Sequence, residues 1–185
     1  MPTVVVPFRG ESAKRRLAPA PEEARATLAH AMLEDVLTAC RAIADGVIVA
    51  SGGGGQGSAV EAALKRVESS PTLIVNADLP AARARDLLTL LGALPENGLA
   101  LVPAEDGTTN ALALASPHLF APLYGPGSAE RFLERAARLD VPAAVAAIPN
   151  LAEDVDTLGD LEALEDRVGP RTAAALEALR AGLAR

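Results

Sequence analysis

The sequence predicts an α/β domain built on a mostly parallel β-sheet with helices on both faces, and three observations carry that prediction. Four short runs, "TVVVPF", "GVIVAS", "TLIVNA" and "LALVPA", recur along the chain. They are apolar throughout rather than alternating, as strands buried on both faces must be. Segments with apolar residues at helical spacing separate them, which is the β-α-β rhythm of a parallel sheet. The 185 residues suffice for one sizeable core, so residues 1–185 are expected to form a single domain.

The first strand starts at Thr3. The segment "EEARATLAHAMLEDVLTACRAI" then places Leu28, Met32, Val36, Cys40 and Ile43 on one helical face. After the second strand, "SGGGGQGS" (residues 51–58) reads as a flexible loop. The third strand begins at Thr72, and the helix in "RARDLLTLLGAL" is expected to bury Leu87, Leu88, Leu91 and Leu94. Beyond the fourth strand, at Leu99, the rhythm changes. "GTTNALALA" and "VPAAVAAIP" look like further strands, so this half is expected to include one or two antiparallel strands. "YGPGS" leads into the helical "AERFLERAARL", and two more helices are expected near "DTLGDLEALEDR" and "GPRTAAALEALRAGLAR". The first of these would be capped by Asp156 or Thr157, and the second would lie at the periphery.

Half of the residues are apolar and 22% are charged, the composition of a soluble globular protein. The net charge of -7 argues against general nucleic-acid binding, which needs a basic face to neutralise phosphates. Cys40 is the single cysteine, which excludes an intrachain disulfide, and its apolar helical setting suits an inert buried thiol. No apolar run approaches the roughly 18 residues of a membrane span, and no leader pattern opens the chain. A cytoplasmic protein without nucleic-acid or membrane partners is expected. The Ala- and Leu-rich helix faces could serve either the core or a homodimer.

In parallel sheets, ligands bind beyond the carboxyl ends of the strands. After the first strand comes "RGESAKRRLAP", where Arg9, Lys14, Arg15 and Arg16 face one acid, Glu11, and where Lys14 is one of two lysines in the chain. A phosphate ligand or a solvated loop would each account for it. Asp78 follows the third strand, where a carboxylate can hold a divalent cation that bridges phosphate oxygens; the alternative is a helix N-cap with Pro80 in the first turn. "EDVDT" sets Asp154 and Asp156 two residues apart, on one face if extended. With Asp78 they could hold one or two Mg²⁺ ions, or Asp156 could be a cap. "YGPGS" before a helix is a natural anion site or an ordinary turn. His30 and His118 sit in structural or solvated settings, and no P-loop, G-x-G-x-x-G or G-x-S-x-G motif is present. Phosphoryl or nucleotidyl transfer is the chemistry that positioning, cations and basic side chains can perform.

The order "VPF", "AKRRLA", "HAMLEDVLTA", "NADLP", "GTTNAL", "YGPGS" and "DVDTLGDL" resembles the guanylyltransferases of coenzyme F420 biosynthesis, which act on 2-phospho-L-lactate or phosphoenolpyruvate. The resemblance spans nearly the whole chain. It implies a Rossmann-like α/β/α nucleotidyltransferase fold similar to glycosyltransferases of the A type. It implies that Lys14 and Arg16, with Arg9, grip the triphosphate of GTP, and that Asp78, Asp154 and Asp156 coordinate Mg²⁺. It further implies that Thr109, Gly125 and Ser128 hold the phosphorylated three-carbon acid. Gly57 is assigned to the nucleotide, in a loop that reads Gln56, Gly57, Ser58 where members of that family commonly read Gly-Leu-Asn after a further strand. Phosphoenolpyruvate is the favoured acceptor, with 2-phospho-L-lactate and 3-phosphoglycerate open. Relatives of the same fold that activate molybdopterin or sugar phosphates generally carry a glycine-rich first loop, which "RGESAKRRLA" replaces. A non-catalytic nucleotide-binding domain would have little use for three clustered carboxylates.

Overall fold

The computed structural model describes residues 1–8, 17, 20–67 and 71–183. Six strands are present among them: β1 (Thr3–Pro7), β2 (Gly46–Ala50), β3 (Thr72–Val75), β4 (Leu99–Pro103), β5 (Thr109–Leu114) and β6 (Ala143–Val145). Seven α-helices accompany them among the described residues: α1 (Glu22–Arg41), α2 (Gln56–Leu64), α3 (Ala84–Gly92), α4 (Ser128–Arg138), α5 (Pro149–Ala152), α6 (Leu158–Ala163) and α7 (Pro170–Leu183). The sheet order is β2-β1-β3-β5-β4-β6. Of these strands only β5 runs against the rest, pairing antiparallel with both β3 and β4. The expected mostly parallel sheet is therefore present, with one reversed strand and a parallel β6.

The pleat sorts neighbouring residues to opposite faces. Val4, Val6, Leu73 and Val75 join Val36, Cys40, Leu87 and Leu90 on the α1/α3 side. Val5, Ile74, Leu101 and Leu112 join Val60 and Phe132 on the α2/α4 side. Both faces are covered, which is why the strands carry no polar alternation. Leu28, Met32, Val36 and Cys40 are fully buried as the spacing of α1 predicts, and burial pushes the Cys40 thiol up to about 12. In α3 the buried pair is Leu87 and Leu90, while Leu88 is 54% exposed. The N-terminus of α3 sets this phase: the Arg83 amide donates to the Asp86 carboxylate, and the helix starts at Ala84. Pro80 consequently lies in a turn ahead of the helix rather than in its first turn, and Asp78 is not its cap.

The C-terminal helix does more than skirt the edge. Leu17, Leu28, Met32, Leu161, Leu164 and Leu176 form a third apolar cluster that binds α6 and α7 to α1. Asp35 of α1, 5% exposed, accepts hydrogen bonds from the amides of Arg171 (3.2 Å) and Thr172 (2.8 Å), so a carboxylate from another helix caps α7. Gly169 makes this approach possible, since a Cβ there would lie 2.2 Å from the Asp35 carboxyl carbon. Its amide also donates to the carbonyl of Pro80 (2.8 Å), tying α7 to the loop after β3. Among the described residues no helix is long and apolar enough to cross a membrane.

Gly169→Ala is expected to destabilise the fold by about 2 kcal/mol, lowering Tm by roughly 4–8 °C for a chain of this size. The double variant Asp35→Ala/Gly169→Ala should lose less than the sum of the two single losses, because the carboxylate that clashes is gone. Additive thermal shifts in a calorimetric cycle would contradict this account.

Candidate functional site

Three carboxylates meet beyond the carboxyl ends of the parallel strands. Asp78 stands in the turn after β3, and Asp154 and Asp156 stand in the non-helical stretch between α5 and α6. The Val155 amide donates to the Asp78 carbonyl (3.0 Å), which sets the two segments side by side. One oxygen from each carboxylate then lies within 4.8 Å of the others, and all three groups are half-buried. The helix-capping alternative for Asp156 does not hold. Thr157 caps α6, its hydroxyl accepting from the Asp160 amide, and the Asp160 carboxylate accepts from the amides of Asp156 and Thr157.

Packing three anions together has an electrostatic cost. Burial and then the charge of Asp78 hold the Asp154 carboxyl above its usual range, with Asp156 adding to the rise, while a hydrogen bond from Asn110 opposes it. A cavity of about 360 Å³ opens beside Asp154 and Asp156, and Glu105, Asp106 and Asp160 extend its acidic wall. Such a field attracts cations. Hard carboxylate oxygens at this mutual spacing are the donor set of a divalent ion such as Mg²⁺ or Mn²⁺.

Thr109, Gly125 and Ser128 also come together. Thr109 opens β5, and its hydroxyl accepts from the Ser128 hydroxyl (3.1 Å), both side chains being buried. Gly125 adopts a φ of 113°, which suits glycine alone, and its carbonyl accepts from the Ser128 amide. Arg131 of α4 reaches back to the carbonyls of Leu123 and Pro126, fixing the turn that carries Gly125. Gly57 lies in the first turn of α2, buried against Pro122; a Cβ there would sit 2.7 Å from the Pro122 side chain. Arg9, Lys14 and Arg16 lie outside the described residues.

Sequence reasoning missed the amides that join these groups. Asn110, 1% exposed, donates from Nδ2 to the Asp154 carboxylate (3.2 Å) and to the Ala152 carbonyl (3.1 Å). Asn76 donates to the Asn110 side chain and to the Thr109 carbonyl, and Gln56 donates to Asn76 (2.7 Å). A polar Asn inside the apolar run "NALAL" was the available signal, because a buried amide in a strand needs partners.

The sequence profile of the family described as "Guanylyl transferase CofC like" matches residues 47–166. A phosphoenolpyruvate guanylyltransferase from Sphaerobacter thermophilus is 37% identical over 189 aligned positions, covering 86% of this chain and 90% of that protein. Solved structures share the fold at low identity. A protein of Desulfovibrio desulfuricans G20 assigned to the nucleotide-diphospho-sugar transferases superposes with a TM-score of 0.71 at 18% identity, covering 98% of this chain and 96% of the other. The 2-C-methyl-D-erythritol 4-phosphate cytidylyltransferase of Thermus thermophilus does so with a TM-score of 0.59 at 15% identity, covering 95% and 99%. The match across most of its length, on a nucleotidyltransferase fold with a three-carboxylate site at the strand ends, means that this chain belongs to the CofC-like guanylyltransferase family.

Proposed function

We propose that the protein transfers GMP from GTP to the phosphate of a phosphorylated three-carbon acid, phosphoenolpyruvate in the first instance or 2-phospho-L-lactate, with release of pyrophosphate, as a step of coenzyme F420 biosynthesis. The observation that carries this reading is the cluster of Asp78, Asp154 and Asp156 at the strand ends, to which Asn110, next to Thr109 in β5, donates directly through Asp154. Adjacent residues of one strand thus touch the two groups assigned here to cation and acceptor, Asn110 the carboxylate cluster and Thr109 the Ser128 hydroxyl.

The chemistry follows from charge. An oxygen of the acceptor phosphate forms a bond to the α-phosphorus of GTP, and the bond from that phosphorus to the oxygen bridging to the β-phosphate breaks. Pyrophosphate leaves with the electron pair. The acceptor phosphate is largely ionised at neutral pH, with a second pKa of about 6, so no general base is needed. The acidic wall around Asp154 would repel a triphosphate. Mg²⁺ held by Asp78, Asp154 and Asp156 would supply the opposing positive charge and polarise phosphate oxygens. Arg9, Lys14 and Arg16 are assigned to the triphosphate and Gly57 to the nucleotide; Lys14 and Arg16 would stabilise charge on the departing pyrophosphate. Thr109, Gly125 and Ser128 would orient the acceptor through hydroxyls and backbone groups.

Pyrophosphate release with Mg²⁺, measured for GTP, CTP and ATP against phosphoenolpyruvate, 2-phospho-L-lactate and 3-phosphoglycerate, tests the reading. It should appear with GTP and one of the first two acids, and silence across the panel from folded protein would refute it. Asp78→Asn should lower turnover by at least about 100-fold, the scale of losing an electrostatic contact in the transition state, with the fold retained. Lys14→Ala should raise the KM for GTP far more than that for the acceptor; equal effects would remove Lys14 from the triphosphate. Asp154→Asn should abolish turnover yet raise the Tm of the metal-free protein. A carboxyl whose folded pKa is raised lowers stability once pH exceeds its unfolded value, so neutralising it removes that penalty at neutral pH. A lower Tm would show that Asp154 contributes to folding rather than opposing it.

A further inference from the structure

We infer that the side-chain amides of Gln56, Asn76 and Asn110 form a directional chain whose last member, Asn110, is a positioning residue that holds Asp154 in its ligating orientation. The inference rests on the reading of Asp78, Asp154 and Asp156 as cation ligands.

The direction of the chain is fixed by its ends. Asn110 Nδ2 faces two groups that only accept, the Ala152 carbonyl and the Asp154 carboxylate, so its Oδ1 must point the other way. That oxygen accepts from Asn76 Nδ2, which also donates to the Thr109 carbonyl. Asn76 Oδ1 is thereby left to accept, and Gln56 Nε2 donates to it. Every donor in the series points toward Asp154. Aligned amides polarise one another, so the last N–H presents a stronger positive end to the carboxylate than a lone amide would.

The anchoring of the chain suits this role. Asn110 is 1% exposed in β5, and its backbone carbonyl accepts from the Asn76 amide (3.0 Å), so both residues are held by the sheet as well as by their side chains. Gln56 is the first residue of α2, directly after the glycine loop. The chain therefore runs from the start of α2, across the ends of β3 and β5, to the cation site. It gives Asp154 a neutral partner, which opposes the repulsion from Asp78 and Asp156 without competing for a cation as an arginine would. Groups that orient metal-ligating carboxylates are commonly worth 10–100-fold in metal affinity.

The test is Mn²⁺ affinity of the nucleotide-free protein, read from the electron paramagnetic resonance signal of free Mn²⁺, alongside Tm. Asn110→Ala should weaken Mn²⁺ binding by about 10–100-fold, Asn76→Ala by less, and Gln56→Ala least. Raising Mg²⁺ should restore much of the turnover lost in Asn110→Ala. A lower Tm for Asn110→Ala with Mn²⁺ affinity unchanged would reduce Asn110 to a structural residue and overturn the inference. Should Asn110→Ala fail to fold, Asn76→Ala decides, since it loosens Asn110 without removing the donor to Asp154: retained affinity would count against the chain, and a several-fold loss would support it. Wild-type protein that binds Mn²⁺ no better than Asp78→Asn would overturn the underlying cation reading, an outcome distinct from an effect of Asp78→Asn with none from Asn110→Ala.

Discussion

The hydrogen bond from the Val155 amide to the Asp78 carbonyl is the constraint on which the site depends. It sets the loop after β3 against the segment between α5 and α6, and the three carboxylates meet because of it. Like charges do not gather on their own. Backbone pairing, which is indifferent to side-chain charge, brings them together and holds them there. The Gly169 amide on the Pro80 carbonyl is a second tie of the same kind, two residues along from Asp78. Arg83 adds a third, its guanidinium donating to the Arg167 and Val168 carbonyls.

Around that constraint the molecule divides its labour. The sheet and its two apolar faces supply stability and leave the strand ends free to carry polar groups. The reversed strand β5 gives the site its compactness. Lying between β3 and β4, it begins where its parallel neighbours end, so Thr109 and Asn110 at its start stand beside the residues that follow β3. A parallel strand in that position would present its last residues there and send Thr109 and Asn110 to the far edge of the sheet.

Much of this was legible in the sequence, and the limits have physical causes. The strands could be read because burial on both faces leaves runs without polar residues, and Leu28, Met32, Val36 and Cys40 marked the inner face of α1 for the corresponding helical reason. The reversal of β5 was left open between one strand and two. The short connection from Pro103 to Thr109 carried the answer, since a parallel crossover needs a dozen residues or more. Leu88 misled because a run of leucines fits several helical phases, and the phase was set by Arg83 and Asp86 at the helix start. The three aspartates were readable as a set, whereas an Asn just after a strand is common in turns and gives no local sign of the side-chain contacts that Asn76 makes. Asp35 looks like a surface acid in "LEDV", and its partners stand 136 and 137 residues away, beyond any local pattern.

The capping of α7 by Asp35 has a bearing on how the protein comes into being. In a nascent chain carrying β1, α1 and β2, the Asp35 carboxylate stays without its Arg171 and Thr172 amides until the start of α7 has left the ribosome. The loop bearing Asp78 likewise waits for Val155 and Gly169. Closing such long loops is slow relative to forming helices. The carboxylate cluster should thus assemble late, and a chain halted in synthesis before Val155 would lack both Asp156 and the backbone bond that sets Asp154 beside Asp78.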